Sequence, residues 1–387
     1  MTGRVAILAR LCFGVAGGGR ADRLARVLAA EGFEVVLAAL GSEGAPEREE
    51  REYLLLRPPR DPPPSGPLRH LGADPSLGRA AAEHRPDLVI ATDPTTLVQA
   101  VQVATETGAR VLYDTWEIYP DQIEQTVPRR WFRPVLTRLL RRQVVRAERR
   151  ALPLVAGVLF TSEGHRDLFH EWHGDAVPGV AGIVRNCPFA WRAEPNGHLR
   201  REAEVAPGER LLVYAGSLGP SRGLLPMVEA MRALPDCRLV VLGWGWLEGE
   251  MRAAAPENVV FLPPVPEIDL VATLSGADAG LLPIEAKNRS KEHSQANKLF
   301  EYLMAGLPIV ATDLPGHRIV LAGTGAAVFV PEATSGAIAL GVRELFMRDD
   351  ESPGAFSRAA RKAAERYSLE RETPELLRVV EACLRGT

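Results

Sequence analysis

The sequence feature that most limits the possible folds is a repeated alternation of short apolar runs with helical patterns. Runs such as RVAILA and EVVLAAL near the amino terminus show no polar alternation, and helical segments separate them. Strands of that kind are typical of a parallel sheet covered by helices on both faces. A second series begins near residue 210 with RLLVYAGS and CRLVVLGWG. The sequence therefore predicts an α/β protein with two Rossmann-like, doubly wound parallel-sheet domains.

The two series divide the 387-residue chain into domains of ordinary size. Residues 186–208 are polar, contain proline and glycine and lack periodicity, so we interpret them as the linker. We expect an amino-terminal domain over residues 1–190 and a carboxyl-terminal domain over 205–370. The tail, 371–387, is predicted to form a final helix. The proline-rich segment 57–67 is predicted to be a loop, because proline is excluded from central strands and helix interiors.

Composition and charge exclude several classes of function. The net charge is −3, so bulk electrostatics predict neither a nucleic-acid nor an acidic partner. The four cysteines form no CxxC pair and the eight histidines form no HxH or HExxH pattern, which argues against a zinc site or a disulfide framework. No apolar run approaches the ~18 residues of a membrane helix, and Arg10 interrupts the apolar amino terminus, which argues against a signal peptide. We expect a cytoplasmic, bacterial protein without metal or cofactor.

A glycine-rich loop follows the predicted strand that ends at Ala215. It contains Gly216, Gly219, Arg222 and Gly223, and a helix comes next. Glycine lets the backbone approach a ligand closely, and the start of a helix presents free N–H groups to a pyrophosphate. The arginine would add a bidentate contact to phosphate. A plain strand-to-helix turn with a solvated arginine explains the same residues.

The segment NKLFEYLMAGLPIVATDLPG begins with a helix that carries Lys298 and Glu301 on one face. A cation at a helix start favours a bound anion, and a carboxylate one turn later can accept hydrogen bonds from the two vicinal hydroxyls of a ribose. An ordinary i,i+3 ion pair is the structural alternative. The polar segment 285–297 ahead of this helix, which contains His293, could close over a sugar. A solvated loop is the alternative there.

In the first series, a glycine loop and several acids follow predicted strands. The loop GVAGGGR, residues 14–20, could contact a phosphate or a sugar. Asp93, Asp114 and Glu117 would lie at the carboxyl ends of parallel strands, where open α/β sheets bind ligands. Carboxylates there can orient acceptor hydroxyls or take a proton. Helix capping is the alternative for the aspartates.

The segment 129–150 contains nine arginines and one acid, with apolar residues between them. A basic amphipathic helix can lie on an anionic membrane, and a packed helix with a solvated outer face is the alternative. Peripheral membrane contact through this segment is therefore a hypothesis. Nucleic acid is not expected as a partner, because the aromatic residues are few and the domain as a whole is not basic.

Five stretches, in order, resemble a known family: DLVIATDP, VLYDTWEIYPD, GIVRNCPF, VYAGSLGPSRGLLPMVEAM, and ADAGLLPI followed by NKLFEYLMAGLPIVATDLPG. The chain resembles the retaining, nucleotide-sugar-dependent glycosyltransferases of family four, the "group 1" transferases with the GT-B fold. The resemblance covers nearly the whole chain. It implies two domains that face a central cleft, with the donor on the carboxyl-terminal domain and the acceptor on the amino-terminal one. It also implies a final helix that crosses back onto the first domain.

The resemblance also assigns site residues. Arg222, Lys298 and His293 take the positions expected to be catalytic, and Glu301 matches the glutamate that holds the ribose hydroxyls. The other expected donor contacts are Gly18, Gly19, Gly216, Ser217, Gly223, Val265, Pro266, Asn297 and Leu299. The expected acceptor contacts are Asp93, Asp114, Trp116 and Glu117.

The activity implied is transfer of a sugar from a nucleoside diphosphate sugar to an acceptor hydroxyl with retention of configuration. No metal is needed, because cationic side chains stabilise the leaving diphosphate. Three positions depart from the family pattern: His293 replaces a common glutamate, Ser217 a common basic residue, and Trp116 a common histidine. Two alternatives stay open, a non-catalytic nucleotide-sugar-binding or partner protein and a sugar-nucleotide epimerase.

Overall fold

A computed structural model of the protein describes residues 3–13, 19–41, 45–59, 75–126, 133–190 and 194–386. The chain divides into two compact units, residues 1–185 with 372–387, and residues 186–371. The segment that the sequence marked as a linker therefore belongs to the second unit, where Leu199 and Ala203 are buried in the core. Most of the proline-rich loop, from residue 60 onward, lies outside the described residues.

The first unit is built on an eight-stranded sheet. Its strands are β1 (Arg4–Phe13), β2 (Glu34–Gly41), β3 (Arg48–Glu50), β4 (Leu54–Leu56), β5 (Leu88–Ala91), β6 (Arg110–Thr115), β7 (Gly157–Phe160) and β8 (Ala181–Ile183). The order across the sheet is β3-β4-β2-β1-β5-β6-β7-β8. All neighbours are parallel except β3 and β4, which pair antiparallel. The long apolar runs of the sequence are the central strands, as predicted.

Helices cover this sheet and complete its core. They are α1 (Arg20–Ala30), α2 (Pro75–Ala82), α3 (Pro94–Thr107), α4 (Tyr119–Thr126), α5 (Arg133–Ala151) and α6 (Glu163–His173). One core cluster joins Val89 and Tyr113 of the sheet to Phe169 of α6. The rings of Tyr113 and Phe169 meet edge to face with centroids 6.1 Å apart, a geometry that favours aromatic pairs.

The second unit is built on six parallel strands. They are β9 (Arg210–Ala215), β10 (Cys237–Leu242), β11 (Val259–Leu262), β12 (Ala279–Leu282), β13 (Ile309–Thr312) and β14 (Ala327–Val330). Their order is β11-β10-β9-β12-β13-β14, so the winding direction reverses beside β9. Alternate residues enter two separate cores, Val213 and Val240 on one face and Leu212 and Val241 on the other. Burial on both faces explains the unbroken apolar runs.

The helices of the second unit lie between these strands or follow them. They are α7 (His198–Glu202), α8 (Leu224–Ala230), α9 (Glu248–Ala254), α10 (Glu267–Leu274), α11 (Arg289–Glu292), α12 (Asn297–Ala305), α13 (Pro315–Leu321), α14 (Ser335–Glu351) and α15 (Ala355–Ala364). The prediction of two doubly wound α/β halves is confirmed.

The chain ends in α16 (Leu369–Arg385), whose residues from Glu372 onward belong to the first unit. Two glycines of that unit leave room for this helix. A Cβ atom on Gly157 would lie 2.6 Å from Cys383 Sγ, and one on Gly182 would lie 2.7 Å from Val379 Cγ2. Within the described part of the chain, no helix has both the length and the apolar character needed to span a membrane.

Candidate functional site

Four neighbouring strands of the second sheet end at one edge and carry the candidate site. The glycine loop (residues 216–223) follows β9, the tryptophan loop (243–247) follows β10, and residues 263–266 follow β11. The segment 283–296 follows β12 and leads into α12. Because the winding reverses beside β9, this edge is the place where open α/β sheets bind ligands.

Lys298 is a buried cation on α12, with 9% of its surface exposed. Its Nζ lies 4.9 Å from the centroid of the Tyr214 ring. Burial above all, and then the charges of Arg222 and Lys291, lower the pKa of Lys298 to about 8, against the opposing effect of Glu301. A buried ammonium near other cations is unfavourable unless an anion compensates it. The position therefore suits a bound anion.

The glycine loop approaches this amine closely. Gly216 has φ +132, and a Cβ atom there would lie 3.1 Å from Lys298 Nζ. Gly223 has φ +61, and a Cβ atom there would lie 2.0 Å from the carbonyl oxygen of Pro283. Both positions adopt left-handed backbone conformations that favour glycine. The loop is thus held against the segment after β12 by contacts that larger residues would break.

Arg222 and Ser217 also lie in this loop. Arg222 is half-buried and donates from one of its terminal nitrogens to the carbonyl oxygen of Pro220 at 3.3 Å. Its charge is close enough to affect the pKa values of both Lys298 and Tyr214. Ser217 is exposed. The structure thus brings the two predicted phosphate-binding cations together at one end of β9.

Three further predicted residues lie on or before α12. Glu301, 8% exposed, is one turn after Lys298 on the same helix. Asn297 is half-buried, and its Oδ1 accepts a hydrogen bond from Asn186 Nδ2 at 2.7 Å. His293 is half-buried and is the C-cap residue of α11. All three therefore lie within five residues of the buried lysine in the sequence.

The predicted donor contact at Leu299 needs correction. Its side chain is 0% exposed and packs in the core, and its N–H donates to the carbonyl oxygen of Ala296 at 2.9 Å. Its side chain is therefore not available to a ligand. Val265 is half-buried and Pro266 is exposed in the loop after β11, so both are accessible.

The sequence reading missed two tryptophans at this edge. Trp244 and Trp246 are 68% and 78% exposed. Their loop is fixed to the glycine loop, because the Leu218 N–H donates to the carbonyl oxygen of Trp244 at 2.8 Å, and a Cβ atom on Gly245 would lie 2.3 Å from the carbonyl oxygen of Leu218. A Cβ atom on Gly219 would lie 3.4 Å from Trp246 Nε1. The pattern GWGW, which directly follows a predicted strand, could have indicated this tryptophan-bearing loop.

In the first unit, β1, β5 and β6 are neighbours. The predicted donor contacts Gly18 and Gly19 follow β1, and the predicted acceptor residues lie at the carboxyl ends of β5 and β6. Gly18 lies outside the described residues, and Gly19 precedes α1 with φ +105. Asp93 is 8% exposed and caps α3, accepting from the N–H groups of Thr95 and Thr96 at 2.8 and 3.0 Å. The capping alternative therefore accounts for this aspartate.

The predicted acceptor role of Asp114 also needs correction. Its carboxylate is 0% exposed and receives three hydrogen bonds from Arg20, at 2.6, 2.7 and 3.0 Å. Arg20 is 6% exposed and also donates to the carbonyl oxygen of Val184 at 2.8 Å. The pair joins the start of α1 to β6 in the interior, so this aspartate is a structural residue.

Trp116 and Glu117 lie just after β6 and are half-buried. The indole Nε1 of Trp116 donates to the carbonyl oxygen of Thr92 at 2.5 Å, which leaves the ring face as its available surface. Gln122 donates from its side chain to the Glu117 carboxylate. Of the acceptor residues predicted, these two alone keep the accessibility that the prediction needs.

Among the described residues, no cluster of three or more His, Cys, Asp or Glu side chains could hold a metal ion. Among the described residues, Cys187, Cys237 and Cys383 are buried and none of them forms a disulfide.

Curated relatives match parts of the chain. It is 28% identical over 206 residues to a D-inositol 3-phosphate glycosyltransferase of Segniliparus rotundus, a match that covers 48% of this chain and 43% of that protein. It is also 28% identical over 238 residues to a phosphatidyl-myo-inositol mannosyltransferase of Mycobacterium leprae, covering 55% and 61% of the two chains. The chain thus matches about half the length of these relatives.

Solved structures match over almost the whole length. Sucrose-phosphate synthase from Thermosynechococcus elongatus is 15% identical with a TM-score of 0.81, covering 100% of both chains. The Anabaena HepE protein, in complex with UDP and glucose, is 15% identical with a TM-score of 0.73, covering 98% of this chain and 99% of that one. At these identities the likeness shows the fold, which is GT-B as predicted.

Two family models match successive parts of the sequence. The model described as "Glycosyl transferase 4-like domain" matches residues 17–181, and the model described as "Glycosyl transferases group 1" matches residues 209–348. The two matches lie in the first and second units, in the order that the sequence resemblance predicts. The chain therefore belongs to the group 1 glycosyltransferases.

Proposed function

We propose that this protein transfers a sugar, a hexose or a related one, from a nucleoside diphosphate sugar to an acceptor hydroxyl. The observation that carries the proposal is the buried Lys298, with its pKa lowered to about 8, beside the glycine loop and Arg222. A doubly charged diphosphate is the ligand chemistry that compensates this pair of cations. The family membership supports the same activity.

In the proposed mechanism the bond between the anomeric carbon and the diphosphate oxygen breaks, and the acceptor oxygen bonds to the anomeric carbon from the same face. The acceptor hydroxyl gives its proton to the leaving diphosphate, and configuration is retained. The protein stabilises the charge that develops on the diphosphate, through Arg222 and Lys298, and no metal ion is required. Glu301 accepts hydrogen bonds from the ribose hydroxyls.

The names of similar proteins support the substrate classes. HepE was crystallised with UDP-glucose, which supports a nucleoside diphosphate hexose as donor here. The curated relatives are named for D-inositol 3-phosphate and phosphatidyl-myo-inositol. We therefore propose a polyhydroxylated acceptor, contacted by the accessible Trp116 and Glu117 of the first unit.

Arg222→Ala and Glu301→Ala are each expected to lower the transfer rate by about 100-fold, because each removes a contact to the diphosphate or the ribose. Arg232→Ala is a matched control, since this exposed arginine also donates to a backbone carbonyl, at 2.8 Å. Transfer is measured as release of nucleoside diphosphate in the presence of a panel of UDP-, GDP-, ADP- and dTDP-sugars and polyol acceptors. Full activity in both variants would reject the assignment.

A non-catalytic nucleotide-sugar-binding protein is the second candidate. It is favoured by His293, at a position where the family resemblance leads to the expectation of a glutamate, and by Trp116, whose indole N–H already donates to the carbonyl oxygen of Thr92. Slow release of nucleotide from donor sugars without any acceptor distinguishes the two, because only an enzyme cleaves the donor. Product analysis of the same mixture identifies an epimerase, which would convert the donor sugar without releasing nucleotide.

The tryptophan loop is proposed to bind the nucleobase. Its strand, β10, lies between β9, which carries the phosphate-binding loop, and β11, whose following loop holds Val265 and Pro266. A ligand that reaches from the first loop to the last must pass Trp244 and Trp246. Their exposed rings offer the faces on which bases stack, an interaction of about 1–3 kcal/mol per base.

Trp246→Ala is therefore expected to weaken binding of the preferred nucleoside diphosphate by about 10-fold while leaving inorganic pyrophosphate binding unchanged. Isothermal titration with both ligands makes the measurement, so that the phosphate site serves as an internal control. Equal loss of affinity for both ligands would show that the substitution damaged the loop, and no loss for either would place the base elsewhere.

A further inference from the structure

A basic groove in the first unit is not used by the proposed reaction. The groove has a volume of about 990 Å³ and runs along α5. Six arginines line it, together with a single acid, Glu124. They are Arg133, Arg138, Arg141, Arg142, Arg146 and Arg149. Residues 129–132, the first part of the basic segment in the sequence, lie outside the described residues.

Three of these arginines are held in place by hydrogen bonds to backbone carbonyl oxygens. Arg133 donates to the carbonyl oxygen of Glu124 at 2.7 Å, Arg141 to that of Pro120 at 2.9 Å, and Arg149 to that of Trp172 at 2.6 Å. A carbonyl oxygen orients a guanidinium but leaves its full charge. Within the part of the chain that the structure describes, Arg133 also forms an ion pair with the Glu124 carboxylate at 3.7 Å, whereas Arg141 and Arg149 have no carboxylate partner. These side chains therefore form a preorganised cationic wall.

The other three have no partner within the part of the chain that the structure describes. Arg138, Arg142 and Arg146 are exposed and follow one another at intervals of four residues, so they form one stripe along the helix. Like charges at this spacing repel each other. The whole chain has a net charge of −3, so the stripe is a local concentration of positive charge. A ligand with several negative charges would remove this repulsion.

Apolar side chains share the stripe's face. Val135 is 65% exposed and Leu139 is 50% exposed, and their positions on α5 place them beside Arg142 and Arg146. The opposite face of the helix is buried through Thr137, Val144, Glu148 and Ala151. The exposed face that carries the stripe is therefore not needed for packing. Exposed valine and leucine side chains would not contribute to the binding of a small soluble anion. A membrane interface accommodates both kinds of side chain, since arginine stems lie along the apolar layer while the guanidinium groups reach phosphates.

The length of α5 also favours a membrane over a small ligand. α5 has 19 residues, which is about 28 Å at 1.5 Å per residue, and arginines occur along all of it. One small molecule covers only part of that length, whereas a lipid surface presents phosphates along the whole helix. We propose that the α5 groove and stripe bind the headgroup phosphates of an anionic phospholipid membrane. This inference does not depend on the proposed sugar transfer.

The test is co-sedimentation of the full-length protein with vesicles of phosphatidylcholine alone and of phosphatidylcholine mixed with phosphatidylglycerol. We expect binding to the mixed vesicles that weakens with added salt. The triple variant Arg138→Gln, Arg142→Gln, Arg146→Gln is expected to bind about 100-fold less tightly, because each basic residue near the surface contributes about a factor of five. The pair Val135→Ser, Leu139→Ser is expected to weaken binding by about 10-fold.

The control variant removes the same charge elsewhere, through Arg232→Gln, Arg343→Gln and Arg358→Gln, all exposed arginines of the second unit. Unchanged vesicle binding in this control and an unchanged unfolding temperature in every variant support the proposal. The absence of binding to the anionic vesicles would overturn it, as would equal binding to neutral vesicles or an equal loss in the control. Binding of inorganic phosphate alone, or a preference for duplex DNA over vesicles, would also overturn it by assigning the groove to another anion.

Discussion

Lys298→Met is expected to stabilise the unliganded protein and, in the same molecule, to weaken binding of nucleoside diphosphates by about 100-fold. The buried ammonium has its pKa lowered from 10.5 to about 8, a difference that corresponds to about 3 kcal/mol of unfavourable free energy for its charged form. Methionine fills a similar volume without this cost, so we expect the free energy of unfolding at pH 7 to rise by about 1–3 kcal/mol. The expected loss of diphosphate affinity is that caused by removing one partner of a buried contact between charged groups.

The pH dependence has a definite sign. Between pH 8 and 10.5 the unfolded chain binds a proton at Lys298 that the folded chain has released, so the free energy of unfolding of the wild-type protein rises with pH relative to the variant. Diphosphate binding is expected to show the opposite trend and to weaken above pH about 8, because the proposed contact needs the charged amine. Urea unfolding and isothermal titration at several pH values measure both, with the exposed Lys362→Met as control. A variant that is less stable at pH 7, or that binds diphosphate normally, would contradict this account.

Asp114→Ala is expected to destabilise the first unit by about 3–5 kcal/mol, because it leaves the buried Arg20 without its counter-ion. The two side chains are 0% and 6% exposed and share three hydrogen bonds. Urea unfolding measures the change. Replacing both partners together, with Asp114→Leu and Arg20→Met, is expected to recover most of the stability, since no unpaired charge is then buried. If Asp114→Ala were fully stable yet inactive toward acceptors, the carboxylate would belong to the acceptor site after all.

The sequence was sufficient for features that depend on local pattern. The central strands were predictable because burial on both faces requires unbroken apolar runs, and the loop around Gly216 and Gly223 was predictable because turns after strands favour glycine. The short strands β3, β4 and β8, at or next to the edges of the first sheet, were not predictable, because each has three residues, too few for a periodic pattern.

The sequence alone could not predict details of the site that depend on residues far apart in the chain. Asp114 and Arg20 are 94 positions apart, and nothing in either local pattern distinguishes a buried pair from a ligand-binding acid. Leu299 follows Lys298 directly, yet one side chain enters the core and the other faces the glycine loop, a choice set by the rotation of α12 against the sheet. The exposure of Trp244 depends in the same way on the backbone contact between two loops.

That contact between the glycine loop and the tryptophan loop has a consequence for protein engineering. Because Gly245 and Leu218 touch through their backbones, neither loop can be redesigned alone without shifting the other. On the proposed assignment of the tryptophan loop to the base, a change of base preference requires residues 216–223 and 243–247 to be exchanged together. Libraries that randomise the two tryptophans but keep Gly243 and Gly245 are expected to be the ones that still fold.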